Sequence, residues 1–447
     1  MFEVPEWAAN KVVYQIFPSR FAATEPVDKE LWYKAPITPM DDLHGNLRGI
    51  IEHMDDIQNL GIDVLYMTPI FQSNSCHKYD TTDYYQIDPS FGTTEDLKEL
   101  VQKAHERGMK VVLDAVYNHT GREFFAFADI LENGEKSKYR DWYFIDGFPL
   151  KSEWGEIPNF KCFGYYGGMP KLNLKNPEVE KYITDVACYW IKECDIDGWR
   201  LDVGDEISHF FWKNFRKAVK AVKKDLLIIG EIWHYAGDFL EGDEWDTVMN
   251  YPFYLNLIDL LADEKITVSQ FVQNLGYLKG RLNKNCYPLM WNLIDSHDTA
   301  RFLHLCNDNK KKQHLAAAFQ LLLPGMPMIY YGDEYAMPGA NDPDCRRGMY
   351  WDEEYQDKEM YEWYKRLIQV RKSHACIVEG ELAGIVTEDE EGTIVLIRKN
   401  GEETIAMIFN CSSSAKKFNE YTQKYNLLTE NTFDGNVEGF DAAVIVL

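Results

Sequence analysis

The stretch TTEDLKELVQKAHERGMKVVLDAVYNH, residues 93–119, decides the fold. Leu97, Leu100, Val101 and Ala104 recur at the spacing of one helical face, and Thr93 or Thr94 stands where an N-cap is expected. Gly108 stops the helix, and an apolar run follows at once as a strand. The same helix-then-strand order returns along the chain. Gly49–Leu60 reads as a helix stopped by Gly61, and Asn176 and Pro177 open another in cap and first-turn positions, with Val179, Ile183, Val186 and Trp190 as its stripe. Strands are expected at Val12–Phe17, Asp63–Met67, Met109–His119, Gly198–Asp202, Leu226–Ile232, Thr247–Asn250, Trp291–Asp295 and Met328–Tyr331. Eight such units predict an α/β fold, a closed (β/α)8 TIM barrel over residues 1–375. A long connection, about 120–175, is rich in Gly and aromatics and reads as an inserted loop subdomain after strand three. From 376 to 447 alternating strands with turn signals predict a C-terminal antiparallel β-sandwich domain.

Composition narrows the partners. The 447 residues carry 47 Lys+Arg against 72 Asp+Glu, a net charge of −25. That balance excludes a phosphate backbone and an anionic membrane surface as partners. With 14% aromatic residues the chain is not of disordered composition, and it suits a neutral ligand with flat apolar faces, such as a sugar. No secretory leader and no membrane-spanning run is read. The nine cysteines are scattered without a CxxC pair, which predicts reduced thiols and a cytoplasmic protein.

Barrel enzymes work at the C-terminal ends of their strands. Strand three ends there in Asp114, Asn118 and His119, strand four in Arg200 and Asp202, strand five in Glu231, and strand seven is followed by His297 and Asp298. Arg200 and Asp202 are two apart and share a strand face. The guanidinium is expected to hold Asp202 ionised, as a nucleophile needs, and the apolar run before Glu231 to raise its pKa, as a general acid needs. Taken singly, an ordinary buried ion pair at Arg200–Asp202, a helix-capping Glu231 and an Asx turn or N-cap at Asp298 explain these residues equally well. Together they place two carboxylates and a third at one mouth, which is the requirement of glycoside hydrolysis.

The ordered blocks DAVYNH (114–119), GWRLD (198–202), GEIWH (230–234) and NLIDSHD (292–298), with MPKLN (169–173), resemble the alpha-amylase family, glycoside hydrolase family 13. HKYDTTDYYQIDPSFGT (77–93) and NDPDCRRGMYW (341–351) are similar to its cyclomaltodextrinase, neopullulanase and maltogenic amylase branch. The resemblance implies that Asp202 is the nucleophile, Glu231 the general acid/base and Asp298 the transition-state stabiliser. It implies that Arg200, His119 and His297 hold the sugar at the cleavage site and that Tyr79 stacks on it. Asp342 and Arg346 then hold the next sugar on the non-reducing side, while Glu206, Trp233 and His234 line the leaving-group side. Asp114 and Asn118 are implied as structural support. The expected activity is retaining hydrolysis of α-1,4 bonds in maltooligosaccharides, cyclodextrins, starch or pullulan, with some transglycosylation. A 4-α-glucanotransferase and a non-catalytic carbohydrate-binding relic are the alternatives.

The chain also departs from that branch. Its members usually carry an N-terminal β domain, for which a first strand near Val12 leaves no room, so the domain is expected to be missing and monomer or homodimer stays open. The family often binds calcium, but SRFAATEPVDKELWYK (19–34) lacks the clustered Asp and Asn that oxygen ligation needs, and Asp205 stands where the branch more often has Asn. No cofactor is therefore expected to be required, with calcium as the alternative. Zinc held by His77, His119 and His297 is weaker still, because the resemblance accounts for these as sugar ligands.

Overall fold

The computed structural model describes residues 4–151 and 157–447. Eight parallel strands form its centre: Val13–Ile16 (β1), Val64–Met67 (β2), Lys110–Ala115 (β3), Gly198–Leu201 (β4), Leu227–Gly230 (β5), Thr247–Val248 (β6), Trp291–Asn292 (β7) and Met326–Tyr330 (β8). Their hydrogen-bonded order is β6-β5-β4-β3-β2-β1-β8-β7. Met249 bridges Trp291 in parallel, and the Asn250 amide donates to the Trp291 carbonyl at 2.8 Å, which closes the sheet into the expected barrel. All eight expected strands are present, most with shorter limits, because the polar residues at their C-terminal ends leave the ladder to line the mouth.

Alternation along the strands sorts the core into two layers. Val13, Val64, Tyr66, Val112, Ile229 and Met328 fill the barrel interior. Ile16, Leu65, Leu113, Leu201 and Ile228 face outward into the larger core beneath the surrounding helices. The helix Thr94–Glu106 starts with a reciprocal capping box between Thr93 and Asp96. Pro177–Cys194 is capped by Asn176, whose side chain accepts from the Glu178 amide. The helix expected over 49–60 differs: it is two short helices, Leu47–Glu52 and Met54–Leu60, interrupted at His53. The His53 ring lies 3.6 Å from Trp351 in a stack, an attachment that apolar spacing does not reveal.

Between β2 and β3 an antiparallel pair, Phe71–Ser73 with Thr81–Ile87, projects over the mouth and carries His77 and Tyr79 in its loop. The long connection after β3 contains the helix Phe125–Asn133 and folds back on the barrel through bridges such as His119–Lys171 and Tyr143–Leu172. Residues 152–156 of that stretch lie outside the described residues. Beyond the last long helix, Lys358–Ser373, come Glu381–Glu388 (β9), Thr393–Asn400 (β10), Glu403–Asn410 (β11) and Asp441–Val446 (β12), the main strands of a six-stranded antiparallel sheet. One face packs on the barrel, where Phe409 stacks on Phe319 at 4.3 Å. Val395, Ala406, Ile408 and Ile445 on the other face pack with Phe418, Phe433 and Val437, next to a two-stranded ribbon.

Candidate active site

The register of the barrel assembles the site. Asp114 on β3 pairs directly with Arg200 on β4, so a carboxylate and a guanidinium meet across the ladder. Arg200 is fully buried at the centre. Its Nη1 donates to Asp114 at 3.0 Å and to Asp202 Oδ1 at 2.8 Å. Its Nη2 lies 2.9 Å from Glu231 Oε2 and 3.9 Å from Asp298 Oδ2. Four carboxyl groups from four strand ends thus converge on one cation. Asp202 Oδ1 is held by that cation, while the buried Oδ2 has no hydrogen-bond partner among the described residues.

Two local features fix the spacing of Asp202 and Glu231. Val203 adopts a left-handed conformation (φ 47°), rare for a β-branched residue and costly by about 1–3 kcal/mol. That turn aims its amide at Glu231 Oε2, 2.8 Å away. The buried Trp245 ring lies against both strand ends: a Cβ at Gly230 would meet it at 2.2 Å and one at Gly204 at 2.7 Å. Glycine at these positions lets the segments bearing the two carboxylates rest on one indole. Trp233 Nε1 donates to Glu231 Oε1 at 3.0 Å, and its ring stacks on Tyr251 at 3.9 Å.

The electrostatics correct one expectation. Arg200 does not hold Asp202 at a low pKa. Burial pushes that carboxyl well up, Arg200 opposes, and Glu231, Asp114 and Asp298 add to the rise. One guanidinium cannot offset four carboxylates out of water. Asp114 is pushed to about 6 by burial against the opposing Arg200, and Asp298 is raised by burial against Arg200 and Arg346. The Glu231 carboxyl accepts from the Val203 amide and the Trp233 indole and pairs with the Arg200 guanidinium. Asp298 is no helix cap, because Arg301 holds the N-cap position of the next helix. Its carboxylate faces His297 Nε2 at 3.2 Å and Arg346 at 3.4 Å.

A cavity of about 410 Å³ opens above these groups. Of the residues singled out in the sequence, Asp202, Glu231, Asp298, Tyr79, His119, Trp233, Asp342 and Arg346 line it, and His77 joins them. Arg200, His297, Asp114 and Asn118 are buried behind its wall. The Tyr79 ring is parallel to His297, and its hydroxyl donates to Asp114 at 3.1 Å. His297 Nδ1 meets the Gln15 amide at 2.7 Å, and burial with Arg346 and Arg200 nearby holds the imidazole neutral. Burial likewise lowers His119 to about 4, and its Nε2 already donates to the Tyr79 carbonyl at 3.1 Å. Asp342 and Arg346 form a 2.8 Å ion pair at the cavity edge. Glu206 and His234 stand off the cavity. Glu206 accepts from Lys171 at 2.9 Å and from Asn118 at 3.2 Å, and exposed His234 faces Asp205 at 3.2 Å.

Phe163, Met169 and Val203 also line the cavity and were not singled out by sequence. Phe163 stacks on His119 at 5.1 Å, and the aromatic and Gly content of its loop was the available signal. Among the described residues no group of three His, Cys, Asp or Glu side chains is placed to hold a metal ion.

A guanidinium-centred set of carboxylates at the C-terminal mouth of a barrel, under a cavity lined by aromatic rings, defines a glycosidase site. The family model for the alpha-amylase catalytic domain matches residues 15–380. The chain is 46% identical to a cyclomaltodextrinase of Geobacillus thermopakistaniensis over 93% of its own length and 71% of that protein. A solved cyclomaltodextrinase structure superimposes with a TM-score of 0.94 at 39% identity, covering 100% of this chain and 79% of that one. The cyclic α-maltosyl-(1→6)-maltose hydrolase of Arthrobacter globiformis gives a TM-score of 0.90 at 35% identity, with 99% of this chain and 100% of that chain covered. The chain belongs to the alpha-amylase family and is a glycoside hydrolase of α-glucans.

Proposed function

We propose that this chain hydrolyses α-1,4-glycosidic bonds with retention of configuration, acting on short and cyclic α-glucans. The observation that carries the reading is the Arg200 fork, which holds Asp202 and Glu231 by its two nitrogens and leaves Asp202 Oδ2 unpartnered. Sharing one guanidinium keeps the two carboxyls close, in keeping with the ~5–5.5 Å of a retaining pair.

In the first step Glu231 gives its proton to the leaving oxygen while Asp202 Oδ2 attacks the anomeric carbon. The bond to the leaving sugar breaks and a glycosyl ester forms. Glu231, now ionised, takes a proton from water, whose oxygen displaces Asp202. Asp298, beside Arg200, His297 and Arg346, supports the positive charge on the ring at both transition states. Tyr79, on the plane of His297, offers the stacking face for the sugar under attack, and Asp342 and Arg346 hold the sugar beyond it. Trp233 receives the leaving sugar, and Glu206 and His234 contact a sugar further out. A sugar acceptor in place of water gives the transfer product.

Cyclodextrins and cyclic maltosyl-maltose are favoured substrates, in line with the two relatives above; maltooligosaccharides, starch and pullulan are the wider set. Nine free thiols support an intracellular site of action. No metal is required. Of the four acidic groups of 19–41, Asp28 caps a helix and Asp41 pairs with Lys34 at 2.7 Å. Digestion of cyclodextrin, cyclic maltosyl-maltose, pullulan, starch and maltotriose tests the reading. We expect glucose and maltose released first as the α-anomer, with the same rates in the presence of a chelator. Sustained lengthening of maltotriose with little release favours the glucanotransferase.

A further inference from the structure

We propose that the groove between Tyr235, Leu255, Asp259, Asn274, Tyr277 and Arg281 is an accessory site for α-glucan chains that run out of the catalytic cavity on its leaving-group side. The proposal rests on the α-glucanase reading above. The groove has a volume of about 320 Å³.

Its chemistry selects a neutral polyhydroxyl ligand. The Tyr277 ring is 65% exposed and Leu255 45% exposed, an apolar floor left to water. The Arg281 guanidinium lies 4.0 Å over the Tyr235 ring and 4.9 Å over that of Tyr277, and Nη1 donates to the Tyr277 hydroxyl at 2.7 Å. The Tyr235 hydroxyl donates in turn to the Arg281 carbonyl at 2.9 Å, so the cation is pre-ordered. Among the described residues no carboxylate pairs with Arg281, and its remaining N–H groups stay available to hydroxyls. Asp259 begins the second position of a π-helical turn, Ile258–Ala262, a form frequent at functional sites. One cation and one carboxylate at the rim leave the groove without a preferred charge. Flat faces with adjacent fixed donors and acceptors fit a pyranose, whose ring is apolar above and below and polar at its edge.

Continuity with the cavity names the occupant. Trp233 lines the cavity and stacks on Tyr251, while Pro252, next to Tyr251, and Tyr235, two residues after Trp233, line the groove. The segments 233–235 and 251–252 thus run from the cavity to the groove. A chain leaving the cavity past Trp233 meets the groove next, and a second contact raises the effective concentration of the rest of the chain at the cavity.

The test compares amylose with maltotriose as substrates of wild type, Tyr277→Ala, Arg281→Ala and Tyr277→Phe. We expect KM for amylose to rise about 2- to 10-fold in the two alanine variants, the range of one aromatic contact. Their KM for maltotriose and both kcat values should match wild type, and Tyr277→Phe, which keeps the ring and loses only the hydroxyl that orders Arg281, should raise the amylose KM less than Tyr277→Ala. Equal KM shifts for both substrates, or none, overturn the groove while leaving the hydrolase reading intact. Self-association of wild type that is lost in Tyr277→Ala reassigns the groove to a second copy of this chain and overturns it too. Hydrolysis of neither substrate by wild type overturns the hydrolase reading and the groove with it.

Discussion

Two buried arginines organise carboxylates at the same end of this barrel, with opposite results. Arg200 gathers Asp114, Asp202, Glu231 and Asp298 beneath the cavity. Arg301, also fully buried, donates to Asp333 at 2.9 Å, to the Tyr331 carbonyl at 2.7 Å and to the Cys345 carbonyl at 3.1 Å. Asp295 accepts the Phe302 amide at 2.7 Å, and its Oδ1, like Asp333 Oδ2, has no hydrogen-bond partner among the described residues. Burial pushes the carboxyls of both clusters up. Burial and a shifted pKa therefore do not separate chemistry from scaffolding here. The direction of the spare oxygen does. In the Arg301 cluster the spare oxygens of Asp295 and Asp333 are buried and line no part of the cavity, and Arg301 ties Asp333 to the Cys345 carbonyl beside Arg346. In the Arg200 cluster Asp202 lines the cavity with one oxygen uncommitted.

The largest effect that tests this contrast is Asp202→Asn. We expect kcat to fall on the order of 10^4-fold or more. Thermal stability should be equal to or above wild type at pH 7, because a buried carboxylate with a raised pKa costs stability when ionised. A large loss of stability would make Asp202 a scaffold residue like those around Arg301.

Arg301→Met should do the reverse. Leaving the Asp295–Asp333 pair without its cation should cost about 3–5 kcal/mol in denaturant unfolding. Activity per folded molecule should fall far less than in Asp202→Asn. A collapse of activity with unchanged stability would erase the distinction between the clusters.

The smallest effect is the pH response of the neighbouring Glu334. Its buried carboxyl accepts from the Tyr14 hydroxyl at 2.6 Å and the Gly332 amide at 2.9 Å, and burial raises it from 4.5 to about 7. The folded state thus binds this proton more tightly than the unfolded chain. The associated stability is complete below pH 4.5 and is lost as pH rises through 7. Glu334→Gln should flatten the fall of stability across this window by up to about 1.4 kcal/mol per pH unit, read from melts at pH 5 to 8. An unchanged slope would show that Glu334 does not titrate there.

The barrel was legible because each βα unit writes its own signal: an apolar helical stripe, a glycine or cap, then a short buried run. Asp114, Arg200, Asp202, Glu231, His297 and Asp298 were legible as polar residues at strand ends. Their electrostatics were not, since one Arg–Asp pair in sequence gives no sign that three further carboxylates share the cation. Glu231 follows an apolar run in sequence but meets donors brought by Val203 and Trp233 in space. The Arg301 cluster joins residues 295, 301 and 333, and Asp295, read as the end of a strand, gives no sign of the other two. Trp245, on which the ends of β4 and β5 both rest, carries no local mark of that role. The break falls at His53, whose ring stacks on Trp351, almost 300 residues away in sequence.

The central claim is that Asp202 forms a glycosyl ester. Incubation with an activated fluoro-sugar of the α-gluco series, followed by proteolysis and mass spectrometry, tests it directly. The account predicts a single glycosylated peptide containing Asp202, absent from Asp202→Asn. Label on another carboxylate, or β-anomeric product with no labelled peptide, would contradict it.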